Sequence, residues 1–366
     1  MPELIMLTGL SGSGKTEFAN RIAVEKNAEV LTVDSIRREL ALSGNTMADK
    51  NTIYGIARER AEKMLKDGRN VIFDSRNLSY RRRKALIDQL KYIDGFKAES
   101  YVLLRRPDEC AKRLTDEGLS FLIPDELLIR QLRGFEFPVP EEGYTGGINF
   151  VNNSSGSVDL ETEYARLKGV PQTGKYHLEN ADNHSRMVEE AARAMNISGD
   201  FVCAARYHDV GKVYAKVPGK DGVVHFPGHE NISAYIYALT MESGAYSEDE
   251  LHVLRLIQFH DLIYKDPVRF ATLPSELQYE LEKFHECDMY GAIVTDELST
   301  IDLRQLIMAF DDWEEILAAG PYYLNISRDD GCYVFERTAE SDTGVQAVRD
   351  ADGCRIMILD KIPFFI

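Results

Sequence analysis

Residues 9–16, Gly-Leu-Ser-Gly-Ser-Gly-Lys-Thr, follow the short apolar run Leu4-Ile5-Met6-Leu7 and lead into a stretch with helical spacing. A strand, a glycine turn and a helix in that order aim backbone N–H groups and a helix N-terminus at one anion. Gly9-x4-Gly14-Lys15-Thr16 has the spacing for a triphosphate. Gly9, Gly12 and Gly14 let the backbone, with Ser13, close round phosphate oxygens. Lys15 reaches the β- and γ-phosphates, and the Thr16 hydroxyl takes Mg²⁺. Residue frequencies put a chance match at about one in a hundred chains of this length. The strand before it and the helix after it lower that further, so ATP with Mg²⁺ is the expected ligand.

The loop opens an alternating pattern. Apolar runs recur at "VLTVD" (30–34), "NVIFD" (70–74), "ESYVLLRR" (99–106) and "GINFVN" (147–152). Helical segments such as "TIYGIARERAEKMLKDG" separate them, that one closing on Gly68. Strands alternating with helices predict right-handed βαβ units and an α/β domain with a parallel sheet over 1–152. The polar stretch "NNSSGSVD" (152–159) reads as a flexible boundary. Beyond it, 160–320 is rich in helical periodicity ("HSRMVEEAARAM", "ISAYIYALTMES", "LHVLRLIQF", "LRQLIMAFDDWEEILAAG") and predicts a mostly α-helical second domain. In 321–366, apolar–polar alternation around Asp-Gly pairs predicts a short β-rich tail packed on that domain.

Five scattered cysteines, odd in number and without a CxxC pair, predict free thiols in a reducing, cytoplasmic setting. No apolar run reaches the ~20 residues needed to cross a bilayer, so no membrane partner is expected. Sixty acidic against 43 basic side chains leave a net charge of −17, which excludes a broad basic groove for nucleic acid. Local basic runs, "RRRK" (81–84) and "LLRR" (103–106), are either end-directed contacts or solvated element faces.

Carboxylates and arginines at the ends of the predicted strands point to phosphoryl transfer. Asp34 is expected at the C-terminal edge of the second strand, beside the crevice where open α/β sheets bind ligands. There it can take the proton of an attacking hydroxyl, or cap the helix that follows. Arg37, one turn on, neutralises acceptor charge. Asp74 ends the third strand as an Mg²⁺-supporting carboxylate does. Asn77, Arg81 and Arg82 leave that strand, and "IPDELLIRQLRG" reads as a lid helix carrying Arg130 and Arg133 over the triphosphate.

This constellation over 1–152 (GxxGSGKT, Asp-x-x-Arg, Asp74-Ser75-Arg76-Asn77 and the lid arginines) resembles the 5′-hydroxyl polynucleotide kinase family. The resemblance implies Asp34 as general base, Arg37 as the contact to the acceptor phosphate, and Arg130, or else Arg133, as the lid arginine. Many relatives have Asp-Ala-Thr-Asn where Arg76 interrupts the pattern here. Small-metabolite and zeta-toxin-like kinases share the framework, which leaves the acceptor class open.

Downstream, His184, His208-Asp209, His229, His260-Asp261 and Asp288 lie on successive helical segments. Any one histidine alone reads as a core or surface residue. Together they form a mixed N/O donor set suited to a divalent transition metal such as Mn²⁺, Ni²⁺, Co²⁺ or Fe²⁺. The order H…HD…D, with "HDVGK" and "GHE", resembles the HD metal-dependent phosphohydrolase superfamily over 175–290. That resemblance implies His184, His208, Asp209 and Asp288 around one ion, and His229 and His260 around a second, with Asp209 bridging. Lys212, one turn after Asp209, stabilises phosphate charge. His177, His225, His252 and His285 have no motif support and are read as structural.

A kinase that adds a 5′ phosphate and a metal site that removes a 3′-phosphate or 2′,3′-cyclic phosphate would together prepare broken RNA or DNA for a separate ligase. Known end-healing enzymes pair such activities. Two other readings stay open: a nucleoside or metabolite kinase fused to an HD nucleotidase, and a non-catalytic nucleotide sensor.

Overall fold

The computed structural model describes residues 1–42, 50–116, 124–172, 180–219 and 223–291, and the backbone of four strands between 322 and 360. The chain divides into two compact units, 1–159 with 234–258, and 160–233 with 259–366.

In the first unit five parallel strands, β1 (Glu3–Gly9), β2 (Ala28–Thr32), β3 (Asn70–Asp74), β4 (Lys97–Leu104) and β5 (Ile148–Asn152), stand in the order β2-β3-β1-β4-β5. The helices are α1 (Lys15–Glu25), α2 (Val33–Leu42), α3 (Lys50–Lys66), α4 (Tyr80–Leu90), α5 (Pro107–Asp116) and α6 (Pro124–Arg133). The central strand β1 is buried on both faces, as the unbroken run from Leu4 to Leu7 requires. This order brings the carboxyl ends of β1 and β3 side by side, with Leu7 opposite Asp74.

Strand β2 is shorter than its sequence suggests. It stops at Thr32, whose hydroxyl accepts the Ser35 N–H at 3.0 Å and caps α2. Asp34 therefore lies in the first turn of α2 rather than on the strand, and Thr32 holds the capping role open to Asp34.

The sheet gains a sixth, antiparallel strand, Gly244–Tyr246, paired with β5. Segment 234–258 belongs to this unit through specific bonds. Tyr235 Oη donates to the Arg105 carbonyl at 2.9 Å, Asn152 Nδ2 donates to the Leu239 carbonyl at 2.9 Å, and Gln258 Oε1 accepts the Phe137 N–H at 3.0 Å. Tyr235 packs edge-on to Phe135, and Tyr246 edge-on to Phe150. The polar stretch after β5 is held too: the Ser155 N–H donates to Glu109 Oε1 at 3.0 Å and Ser154 Oγ accepts from the Arg106 N–H at 3.2 Å.

The basic run 81–84 divides by helical phase. Arg81 and Arg82 are exposed, whereas Arg83 lies on the buried stripe with Leu86, Ile87 and Leu90 and is not a solvated residue. Its guanidinium forks onto Glu142 at 2.8 and 2.7 Å and donates to the carbonyls of Asn77, Glu136 and Phe137. Arg83→Met would leave Glu142 charged, buried and without its fork. We expect a loss of about 3–5 kcal/mol in a denaturant titration; a loss below about 1 kcal/mol would remove the pair from the stability of this unit.

The second unit contains α7 (Leu160–Ala165), α8 (Ala181–Met195), α9 (Gly199–Tyr207), α10 (Lys212–Ala215), the first half of α11 (His229–Ala238), the end of α12 (His252–Phe259), α13 (Leu262–Lys265), α14 (Pro267–Phe270) and α15 (Ser275–Gly291). Two short strands, Val217–Pro218 and Val224–His225, pair antiparallel. Strands Tyr322–Asp329 and Cys332–Arg337 form an antiparallel pair, as do Gln346–Arg349 and Arg355–Asp360. His177 and the helical pattern at 303–320 lie outside the described residues. Cys110, Cys203 and Cys287 are free thiols, and among the described residues no helix is long and apolar enough to cross a membrane.

Candidate active sites

The first site is the turn between β1 and α1. Gly12 and Gly14 have φ of 81° and 96°, a region side chains disfavour, and a Cβ on Gly12 would meet the Cys110 carbonyl at 2.7 Å. Gly9 is equally confined, since a Cβ there would lie 2.7 Å from both the Leu103 carbonyl and Ser13 Oγ. Ser13 is buried, and its carbonyl accepts Asn153 Nδ2 at 3.0 Å. Lys15 is buried, with Nζ 2.6 Å from the Leu10 carbonyl. Burial pulls its pKa down to about 8 against the attraction of Asp74. Thr16 Oγ1 donates to Asp74 Oδ2 at 2.8 Å, which puts a hydroxyl and a carboxylate oxygen together at the helix N-terminus. A hard cation that takes hydroxyl and carboxylate oxygens fits that pair. The loop thus assembles Gly9, Gly12, Ser13, Gly14, Lys15, Thr16 and Asp74 in one place.

Asp34 and Arg37 form an exposed ion pair one turn apart on α2, and the charge of Asp34 acts on both Lys15 and Asp74. Asn77 is buried instead of facing the cleft. At φ 47° its Nδ2 donates to the Leu7 carbonyl at 2.7 Å, tying the end of β3 to β1. Arg130 is exposed on α6, and Arg133 is half-buried. Between them Gln131, which sequence reading passed over, grips the loop: its Oε1 accepts the Ser11 N–H at 2.8 Å and its Nε2 donates to Ser11 Oγ at 3.0 Å. The sequence carries no signal for this role beyond the position of Gln131 between the two lid arginines.

The second site lies within the helical unit. His184 projects from α8, His208 and Asp209 follow the end of α9, His229 starts α11, His260 and Asp261 follow α12, and Asp288 projects from α15. The two oxygens of Asp209 are divided between two groups of imidazoles. Oδ2 faces His208 Nε2 at 3.2 Å and His184 Nε2 at 3.5 Å, with Asp288 Oδ1 3.0 Å from His184 Nε2. Oδ1 faces His229 Nε2 at 3.2 Å, and His229 Nε2 lies 3.2 Å from His260 Nε2. Asp261 Oδ2 is 3.8 Å from His260 and 3.9 Å from His229, a donor left open by the sequence.

The donor set fits divalent cations. His184, His208 and His229 each place Nδ1 on a backbone carbonyl, of Gly291, Ala205 and Phe226, at 3.0, 2.7 and 2.9 Å. Donation there turns the Nε2 lone pairs toward Asp209, the arrangement of a metal-ligating histidine. His208 Nε2 and both Asp209 oxygens are buried, and their polar contacts are with the cluster's own side chains and the Lys212 ammonium. Three donor groups, His184–His208–Asp288, His208–Asp209–His260 and His229–His260–Asp261, each converge tightly enough for one ion. Burial disfavours charge on Asp209, yet His208 and Lys212 hold its carboxyl well below the usual range.

Lys212 is itself buried, with Nζ 2.6 Å from Asp209 Oδ2 and 2.6 Å from Gln172 Oε1. It is placed to steady Asp209 rather than to meet solvent. Gly211 lets this segment approach the start of α11 closely, because a Cβ there would clash with the His229 carbonyl and the Ser233 N–H. Of the remaining histidines, His225 is exposed and His285 meets the Tyr264 hydroxyl.

Residues 4–138 match the family described as an AAA domain, in keeping with the phosphate loop and parallel sheet of the first unit. No curated protein matches the chain. Among solved structures, a gluconokinase from Sinorhizobium meliloti 1021 is 18% identical, with a TM-score of 0.31 over 42% of this chain and 82% of that one. A sugar kinase from Janibacter sp. HTCC2649 is 20% identical, with a TM-score of 0.31 over 42% of this chain and 86% of that one. A chain of the Pnkp1/Rnl/Hen1 RNA repair complex is 24% identical, with a TM-score of 0.32 over 37% of this chain and 44% of that one. The N-terminal unit is an α/β P-loop domain, for which ATP and Mg²⁺ are the implied cofactors.

Proposed function

We propose that the chain heals nucleic-acid ends, with RNA the favoured substrate: it phosphorylates 5′-hydroxyls with ATP and removes 3′-phosphate or 2′,3′-cyclic phosphate at a metal centre. The observation that carries this reading is the presence in one chain of a triphosphate loop with its lysine and, in the second unit, a buried carboxylate shared between two imidazole groups. In the first, Asp34 takes the proton of the attacking 5′-hydroxyl. The new O5′–phosphorus bond forms as the bond to the β–γ bridging oxygen breaks and ADP leaves. Lys15 balances the β- and γ-charges, Arg37 faces the acceptor's phosphate, and Arg130 or Arg133 covers the donor.

In the second, His184, His208, Asp209 and Asp288 would hold one divalent ion, and His229, His260 and Asp261, with Asp209, would hold a second. Such a pair supplies Lewis acidity and a nucleophilic hydroxide near neutral pH. Lys212 keeps the Asp209 carboxylate in place. The products, a 5′-phosphate and a 3′-hydroxyl, are what a separate ligase requires.

The net charge of −17 favours a second reading, a metabolite kinase fused to a nucleotidase. One assay decides between them. The protein is given γ-labelled ATP, Mg²⁺ and Mn²⁺ with 5′-OH RNA, 5′-OH DNA, nucleosides and gluconate, and separately RNA ending in 3′-phosphate or 2′,3′-cyclic phosphate. We expect label on the oligonucleotide and phosphate released from the 3′ end. Label on nucleosides or gluconate alone would overturn the end-healing reading.

A further inference from the structure

We propose that Tyr54 and Arg82 form a stacking platform for the nucleobase of the 5′-terminal nucleotide of the acceptor. The inference deepens the kinase reading above and rests on it. Ser75 directly follows Asp74, the carboxylate that accepts from Thr16. Tyr54 Oη lies 2.5 Å from Ser75 Oγ, so the ring is fixed next to the phosphate-transfer centre. The Arg82 guanidinium sits over that ring, 5.0 Å from its centroid, and Arg82 is exposed.

Among the described residues no carboxylate pairs with Arg82, although the chain carries far more acid than base. A phenol ring with a guanidinium laid over it leaves one further planar face. A nucleobase completes such a stack, because every base has a π-face and arginine stacks on aromatic planes. An open-chain sugar acid offers the guanidinium its carboxylate but has no ring to stack.

The position selects the acceptor over the donor. Tyr54 belongs to α3, which is tied to α2 by the Arg60–Glu39 fork at 3.1 and 2.7 Å, and α2 carries Asp34 and Arg37. The opposite flank of the loop is formed by α5, where Gly12 packs on Cys110 and Arg113 pairs with Glu17 at 2.7 Å. Stacking of one terminal base adds affinity without any further phosphate contact, which suits an acidic protein.

The test compares 5′-OH oligonucleotides that carry either a normal or an abasic 5′-terminal nucleotide. We expect Tyr54→Leu and Arg82→Ala each to raise KM for the base-bearing end at least tenfold, with KM for ATP within twofold. The abasic end, already weakly held, should change less than twofold. Tyr54→Phe keeps the ring and should stay within threefold of the native protein. Equal losses on both acceptors, no loss on either, or a rise in KM for ATP would each overturn the platform while leaving the kinase in place. If the native protein phosphorylates no oligonucleotide, the end-healing reading falls and the platform falls with it.

Discussion

Asp209→Asn is expected to strip the metal from the second unit and abolish phosphate release from 3′ ends, while 5′ phosphorylation with Mg²⁺ continues. The asparagine keeps the volume of the side chain but turns one acceptor oxygen into an NH2 donor and removes the charge that two imidazole groups share. Loss of residues that merely orient metal ligands costs 10–100-fold in affinity, and loss of a shared anionic ligand should exceed that. Metal content after EDTA treatment and reloading with Mn²⁺ gives a readout independent of turnover. Kinase activity in the same sample reports that the rest of the chain is folded. Native metal content together with native phosphate release would show that the ligand set is wrong.

Both centres were legible because their signals are local or repeated. A phosphate loop is a strand, a turn and a helix within a few residues, so Gly12, Gly14, Lys15 and Thr16 are neighbours in the sequence, and only the groups that brace them, such as Gln131 and Asn153, come from far along the chain. The metal-type cluster is long-range, but each of its helices presents a histidine or an aspartate, and the regular order H…HD…H…HD…D survived the distance. Asp261 stayed ambiguous because an aspartate after a helix serves equally well as a cap.

What escaped the sequence depends on partners far along the chain. Arg83 sits in a run of basic residues, yet its phase with Leu86, Ile87 and Leu90 carried the burial signal, and Glu142 could not be foreseen as its partner. The return of 234–258 to the first unit rests on a three-residue strand, too short for any alternation to register, and on hydrogen bonds to residues more than 80 positions away. Polar composition alone made 152–159 look like a free linker, although Ser154 and Ser155 spend their polarity on Arg106 and Glu109. A fragment ending at 152 therefore lacks the edge strand and Tyr235, so poor folding of that fragment would say nothing against the kinase.

Lys15→Ala and Asp34→Asn should both abolish measurable 5′ phosphorylation, for different reasons that nucleotide binding separates. Lys15 lies beneath the loop with its ammonium on the Leu10 carbonyl, and burial has already made its charge costly, with a pKa of about 8. That cost is consistent with a position kept for phosphate. Its loss removes a preorganised charge from the donor, with an expected fall of about 10³-fold or more in rate and a clear loss of ATP affinity. Asp34 is exposed, paired with Arg37 and close enough to influence Lys15 and Asp74 electrostatically, but it makes no bond to the loop. Asp34→Asn should therefore bind ATP within about threefold of the native protein while kcat falls about 10²–10⁴-fold, the range for loss of a general base. In both variants, phosphate release from 3′ ends serves as the internal control and should be unchanged. Full phosphorylation by Asp34→Asn would remove that carboxylate from the chemistry and leave the α2 ion pair a surface feature.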